Sequence, residues 1–215
     1  LGLLYLAELT ERWGFDVSIV DLLDRHHPAW NIEDRFYPKT RDDGTGPFFK
    51  EELAKPAPVQ FVKRRFSRYG APLEAVEKRL AALDPEPDIV FMTSSMTYWY
   101  LGVAETAQLV RKHFPRAQLV LGGTYASLLP AHAQQTIAPD TLVVGPGENE
   151  LRRVLEKQSG RELPPIDGVA PLFSLCRVWR HYPVLKSYPL WTSRGCPFKC
   201  AFCAGPRLNP PFFQV

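Results

Sequence analysis

Short, almost purely apolar runs that alternate with helical segments are the feature that most restricts how this chain of 215 residues can fold. Four runs are predicted as strands, at residues 16–20, 89–92, 118–121 and 142–144. The last three carry hardly any polar side chain, which is typical of strands buried on both faces of a parallel sheet. Such a sheet needs helices to cover it, so the pattern predicts an α/β fold.

Helical periodicity accounts for the segments between these runs. Apolar side chains recur at helical spacing over about residues 3–13, 72–83, 103–114 and 148–157. Gly14 is the predicted C-cap of the first helix. The resulting order is that of a doubly wound, Rossmann-like domain. The chain begins within a helix and without Met, so we expect a further strand before Leu1.

Composition changes suggest where this domain ends. We expect the α/β domain to occupy residues 1–158, with a proline-rich excursion at residues 25–70. Residues 159–188 are predicted to be a connector, and residues 189–215 the start of a second, truncated domain. No apolar run reaches the roughly 18 residues that cross a bilayer, so no membrane association is expected.

The basic run in the excursion, Lys63-Arg64-Arg65, lies near several aromatic residues and has two interpretations. One is a nucleic-acid contact, and the other is a solvated basic face over a small aromatic cluster. The net charge of the chain is only +3, which is too weak to argue for nucleic acid by itself. We therefore favour the solvated face and predict no nucleic-acid partner.

Three of the four cysteines, Cys196, Cys200 and Cys203, lie within eight residues in the spacing C-x-x-x-C-x-x-C. Clustered cysteines indicate metal binding, and they favour a reducing, cytoplasmic setting. Three thiolates on one loop can ligate three irons of a 4Fe–4S cluster and leave the fourth iron open. Structural zinc is the alternative, but zinc usually has four ligands, commonly in C-x-x-C pairs. Neither Cys176, which we interpret as a buried small residue, nor His181 completes such a pair.

The neighbours of these cysteines suit a cluster. Gly195 lets the backbone approach it, and Phe202 can shield it from water. Arg194 and Lys199 can offset its negative charge.

Small and hydroxyl residues follow the ends of three predicted strands, in loops that begin at residues 94, 122 and 145. The carboxyl ends of parallel strands meet at one edge of the sheet, where doubly wound folds bind ligands. Ordinary turn chemistry explains the same glycines, and Ser94 and Thr97 are alternatively helix caps. The predicted cofactor-binding residues are Ser94, Ser95, Thr97, Gly122, Gly123, Gly145, Gly147 and, in the cysteine loop, Phe202.

The segment from Thr192 to Cys203, TSRGCPFKCAFC, resembles the signature of the radical S-adenosylmethionine (SAM) superfamily. The upstream domain resembles the cobalamin-binding domain often fused to it, and the two similarities cover most of residues 1–158 and 189–204. The resemblance implies a 4Fe–4S cluster, SAM bound at its open iron, and one-electron cleavage of SAM to a 5′-deoxyadenosyl radical. It also implies cobalamin in the three loops, an electron donor such as flavodoxin or ferredoxin, and an α/β barrel after the cysteines.

Two departures from the family pattern bear on these expectations. A D-x-H-x-x-G loop, whose histidine ligates cobalt in some cobalamin proteins, is absent, but that loop would follow the first strand, which we expect before Leu1. His26 and His27 follow the second strand, do not match the loop and are interpreted as surface residues. Only twelve residues follow Cys203, too few for a barrel. We therefore expect a fragment that does not cleave SAM at an appreciable rate by itself.

The sequence therefore predicts a cobalamin-linked radical SAM enzyme. Methyl transfer to an unactivated carbon is the leading candidate for its reaction. The small-molecule or peptide substrate is unknown, and we assign no catalytic residue beyond the cofactor ligands. The alternative is a non-catalytic α/β binding or sensor module whose cysteines form a structural zinc knot. Metal analysis distinguishes the two: iron with acid-labile sulfide indicates the radical SAM enzyme, and zinc alone indicates the binding module.

Overall fold

The computed structural model describes residues 2–25, 27–30, 41–43, 45–166, 177–182, 193–208 and 212–214. The chain divides into two compact units. The larger consists of Leu1–Val17, Pro85–Arg180 and Pro189–Val215, and the smaller of Ser18–Asp84 and His181–Tyr188.

The described helices and strands are numbered in chain order. The helices are α1 (Gly2–Arg12), α2 (Leu73–Ala81), α3 (Tyr100–His113), α4 (Gly123–Leu128), α5 (Pro130–Ile137), α6 (Glu148–Ser159) and α7 (Gly205–Leu208). The strands are β1 (Lys50–Leu53), β2 (Phe66–Tyr69), β3 (Ile89–Ser94), β4 (Gln118–Gly122), β5 (Thr141–Leu142), β6 (Ser193–Arg194) and β7 (Phe213–Gln214).

A three-stranded parallel sheet, in the order β3-β4-β5, forms the centre of the larger unit. Its middle strand is buried on both faces, because Leu119 and Leu121 are 0% exposed while Val120, which points the other way, is 2% exposed. Val120 packs with Val143 and with Val154 of α6. The prediction of an α/β fold with a buried parallel sheet is confirmed.

The predicted helices agree with this arrangement. The first begins near the chain start and ends before Gly14, whose φ of +81° is the left-handed conformation of a C-cap glycine. In α3 the predicted stripe is buried at Val103, Ala107 and Val110. Helical periodicity predicted these elements because the apolar stripe is what attaches each helix to the sheet.

Two of the predicted strands differ from the structure. Residues 16–20 form no strand, although their exposure alternates partly as in an extended segment. Within the described residues no neighbouring strand pairs with them, and a strand is stabilised only through its ladder of hydrogen bonds. The run at 142–144 is shorter than predicted: the Val143 N–H still donates to Leu121 at 2.8 Å, but Val144 leaves the sheet and is 57% exposed.

The smaller unit contains a pair of strands that the sequence did not predict. β1 and β2 are antiparallel, with Lys50 opposite Tyr69 and Leu53 opposite Phe66, inside the segment predicted to be an irregular excursion. The basic run Lys63-Arg64-Arg65 is exposed, as a solvated face requires. Phe61, however, is 84% exposed and does not pack beneath it. These strands lack clean alternation, so periodicity could not identify them.

The expected start of a barrel is not confirmed. β6 and β7 pair over two residues each in an antiparallel ladder, whereas a barrel of the expected kind begins with a parallel strand. No described helix is long and apolar enough to cross a membrane.

Two buried carboxylates of α1 hold residues 177–180 against this helix, within the larger unit. Glu8 is 2% exposed, and its Oε2 accepts the backbone N–H groups of Arg177 at 3.0 Å and Val178 at 3.2 Å. Its Oε1 pairs with Arg12 Nε at 3.0 Å. Glu11 pairs with Arg180 at 3.0 Å. These bonds connect parts of the chain that are about 170 residues apart in sequence.

The turn after β4 requires glycine at one of two adjacent positions. Gly123 has φ of +87°, and a Cβ built on it would lie 2.2 Å from Thr93 Oγ1. Gly122 has φ of −137°, and its Cβ would lie 3.5 Å from Val143 Cβ, an ordinary contact. Only Gly123 is therefore demanded by the backbone and by its surroundings.

Replacing Glu8 tests the α1 contact. We expect Glu8→Ala to lower the free energy of unfolding by about 3 kcal/mol, because buried N–H groups and Arg12 lose their acceptor. Glu8→Gln keeps an acceptor oxygen and should cost less. Urea denaturation followed by circular dichroism measures both. A loss below about 1 kcal/mol for Glu8→Ala would show that the carboxylate is not buried in these bonds.

The two glycines provide a matched pair. Gly123→Ala is expected to destabilise the protein by about 2–4 kcal/mol, from the left-handed backbone and the overlap with the stiff Thr93 side chain. Gly122→Ala should change stability by less than about 1 kcal/mol. Thermal unfolding of the two variants side by side is the measurement. Equal effects would contradict the described turn.

Candidate cofactor-binding site

The loops after β3, β4 and β5 open on one edge of the parallel sheet, as predicted from strand direction. A bridge between Ser94 and Gly123 extends the β3–β4 pairing by one residue. The Gly145 N–H donates to Ser127 Oγ of α4 at 2.9 Å and so links the loop after β5 to the segment after β4. The fold therefore brings the three predicted loops together.

The hydroxyl residues after β3 serve the chain's own loop. Ser94 is 5% exposed, and its Oγ donates to the Met96 carbonyl at 2.9 Å. Helix α3 is preceded by Trp99 and has no side-chain cap, so the alternative reading of Ser94 and Thr97 as its caps is wrong. Ser95 is exposed, and Thr97 is half-buried at the start of a short 3-10 helix.

The four glycines of the loops after β4 and β5 are present for different physical reasons. Gly145 has φ of +85° and open space where a Cβ would be. A Cβ on Gly147 would lie 3.2 Å from Leu6 Cδ1 of α1, so close packing accounts for that residue. Gly123 is required by its turn. Gly122 is the one of these four glycines that neither its backbone nor its described surroundings demand, because a Cβ there would make only an ordinary contact with Val143.

Large apolar side chains are exposed on the same loops. Tyr98 is 69% exposed, Met96 42% and Trp99 36% after β3, and Val144 is 57% exposed after β5. Tyr98 and Trp99 follow the loop after β3 directly, so their exposed rings lie close to the end of that strand. Met96 and Val144 were not among the predicted site residues. Their position just past the end of a strand is the sequence feature that could have identified them. Apolar surface of this kind marks a ligand or partner site.

An ordered histidine stands near this edge and was not anticipated. The Tyr125 hydroxyl, on a side chain that is 0% exposed, lies 2.7 Å from His132 Nδ1. Tyr100, the first residue of α3, contacts the His132 ring edge-on at 4.9 Å between centroids. Burial raises the pKa of the Tyr125 phenol, so it stays protonated. The exposed imidazole of His132 is therefore held in one orientation.

The cysteine loop is tight and presents its thiols outward. Gly195 has φ of +82° where the chain leaves β6. Cys196, Cys200 and Cys203 are free and exposed, and the Cys203 N–H donates to the Cys200 carbonyl at 3.1 Å. In the part of the chain that the structure describes, no three Cys, His, Asp or Glu side chains are grouped closely enough to hold a metal. The donor set itself, three accessible thiols on one short loop, suits a 4Fe–4S cluster.

The aromatic residues of this loop do not cover the thiols. Phe202 is 93% exposed and Phe198 is 69% exposed. Lys199 is exposed as well. The predicted shielding by Phe202 therefore has no counterpart among the described contacts.

The end of the cysteine loop is attached to the α/β part of the larger unit. Helix α7, which begins two residues after Cys203, lies against α4. Helix α4 begins at Gly123, directly after β4. The cysteine loop and the loop after β4 are thus connected by one helix contact.

Of the remaining candidates of the sequence, the structure describes His27, which bonds within its own turn. His27 is half-buried, and its Nδ1 accepts the Ala29 N–H at 3.1 Å. Cys176, His26 and Thr192 lie outside the described residues.

Comparisons with known proteins give two distant relatives. No protein-family model and no solved structure matches the chain. It is 29% identical over 110 residues to the bacteriochlorophyllide d C-8(2)-methyltransferase of Chlorobaculum tepidum, covering 45% of this chain and 24% of that protein. It is 26% identical over 157 residues to the cobalamin-dependent radical SAM methyltransferase TokK of Streptomyces tokunonensis, covering 55% of this chain and 22% of that protein.

The chain thus spans less than a quarter of the length of each relative. Both relatives are methyltransferases by name, and one is named as cobalamin-dependent and radical SAM. At this distance the similarity supports the resemblance to the radical SAM superfamily that the cysteine motif indicates.

Proposed function

We propose that this chain supplies the cobalamin-binding domain and the cluster loop of a radical SAM methyltransferase. The observation that carries the proposal is the C-x-x-x-C-x-x-C loop with three free, exposed thiols, in the same compact unit as a parallel-sheet edge. The distant relatives add support, since both are named methyltransferases.

Cys196, Cys200 and Cys203 would hold the cluster. A bound 4Fe–4S cluster with three thiolate ligands supplies an open iron for SAM and one electron for cleaving its carbon–sulfur bond. The chain's own residues prepare the ligands: the left-handed Gly195 turns the backbone into the loop, and the Cys203-to-Cys200 bond closes it. The exposed ammonium of Lys199 lowers the electrostatic cost of an anionic ligand set.

The sheet edge would hold the corrinoid. Tyr98, Met96 and Val144 offer exposed apolar surface that a macrocycle can cover. His132, fixed by Tyr125, offers an oriented hydrogen-bonding group nearby. The open backbone at Gly145 lets a ligand approach without meeting a side chain.

Methyl transfer to an unactivated carbon of a small-molecule or peptide substrate is the proposed reaction, with an electron donor such as flavodoxin or ferredoxin. The free thiols suit a reducing cytoplasm. The rival module with a zinc knot is less well supported, because both relatives are named as enzymes. It also needs a fourth zinc ligand, and the sequence offers no second cysteine or histidine pair for that role.

Iron content tests the cluster assignment. Anaerobic reconstitution of the full-length protein should give about four irons and four sulfides per chain, as a cubane requires. Cys200→Ala should abolish this, because two thiolates hold a cubane poorly. Cys176→Ala is the matched control and should leave iron unchanged. A full cluster in Cys200→Ala, or zinc in place of iron in the parent protein, would overturn the assignment.

Corrinoid affinity tests the sheet edge. Val144→Asp should weaken binding of hydroxocobalamin by at least about tenfold, because a carboxylate would have to be desolvated against an apolar ligand. Val62→Asp, also a partly exposed valine but in the smaller unit, should bind normally. Equilibrium dialysis of the full-length protein and both variants gives the constants. Equal affinity in all three proteins would show that this edge does not bind the corrinoid.

A further inference from the structure

A backbone N–H points at one of the three cysteine sulfurs. The Gly205 N–H donates to Cys203 Sγ at 3.3 Å, a distance within the range of hydrogen bonds to sulfur. This contact joins residues two apart in the chain, so local backbone geometry forms it.

The identity of residue 205 preserves this short contact. A Cβ built on Gly205 would lie 3.2 Å from Cys203 Sγ, closer than most real Cβ contacts, so a side chain would push the sulfur away by a few tenths of an ångström. Gly205 also begins α7, which lies against α4. The donor is therefore part of an element that the larger unit holds in place.

We infer that the Gly205 N–H is a tuning donor to the cluster ligand Cys203, and that it raises the reduction potential of the cluster. The inference rests on the proposed cluster. Reduction adds one electron to an anionic, thiolate-ligated group, and a donor at a ligand sulfur stabilises the more negative state more strongly. Gly205 acts through Cys203, so it is a positioning residue and not a catalytic one.

The test removes the N–H without changing the shape of the chain. Nonsense suppression with glycolic acid at position 205 replaces the amide by an ester in the full-length protein. The same exchange at Ala204, with lactic acid, is the matched control, since its N–H donates to no atom of the described residues. Iron and sulfide are counted first, and the reduced cluster is then titrated with dithionite at set potentials and followed by EPR.

We expect all three proteins to carry the same iron content. At a fixed potential, the ratio of reduced to oxidised cluster should fall about tenfold in the position-205 ester, which equals 59 mV for a one-electron couple. The position-204 ester should titrate as the parent does. A fully loaded position-205 ester with the parent's potential would overturn the inference. A parent protein that loads no iron would instead overturn the proposed function, so the two failures are distinct.

A second measurement stands even if the ester variant loads no cluster. Pulsed EPR of the reduced parent, labelled with ¹⁵N-glycine, should show a nitrogen coupling to the cluster. Gly205→Ala in the same medium should lose the coupling that comes from residue 205, because its donor nitrogen is unlabelled, while any coupling from Gly195 stays. Identical spectra of the parent and Gly205→Ala in ¹⁵N-glycine would overturn the inference.

Discussion

The burial of β4 on both faces is the constraint on which the larger unit depends. Leu119, Val120 and Leu121 have almost no solvent exposure, so helices must cover the sheet from both sides. Parallel pairing to β3 and β5 then follows, because each neighbouring strand is reached through a helical crossover. The same pairing collects three loops at one edge, and that edge is the only part of the sheet where small and exposed apolar residues concentrate among the described residues.

Two further contacts connect the rest of the larger unit to this sheet. The Glu8 and Glu11 carboxylates of α1 hold residues 177–180, and α7 lies against α4 after the cysteine loop. Both contacts join segments distant in sequence, and both flank the stretch that leads to Cys196. These anchors fix where the cysteine loop lies, because a short loop alone does not define its own position.

The limits of sequence reasoning follow from what periodicity can and cannot detect. Buried strands and amphipathic helices were predicted because burial imposes a regular pattern on side chains. Residues 16–20 have a strand-like composition and form no strand, since pairing depends on a partner and not on composition. The β1–β2 pair was missed because its strands lack alternation and pair across twelve residues that include a short 3-10 helix. Glycine was likewise ambiguous until the neighbours were known, as Gly122 and Gly123 show.

The sequence by itself determined the α/β class, the helix faces and the three-cysteine spacing, because each depends on the order of residues that are close together in the chain. Tertiary structure alone decided which residues have an internal role and which remain available to a ligand. Ser94 is committed to its own loop and Gly123 to its turn, while Val144 and His132 are exposed near the open edge. It also decided that the Gly205 N–H faces Cys203 Sγ. Whether a residue can contact a ligand depends on the space around it, and residues remote in sequence determine that space.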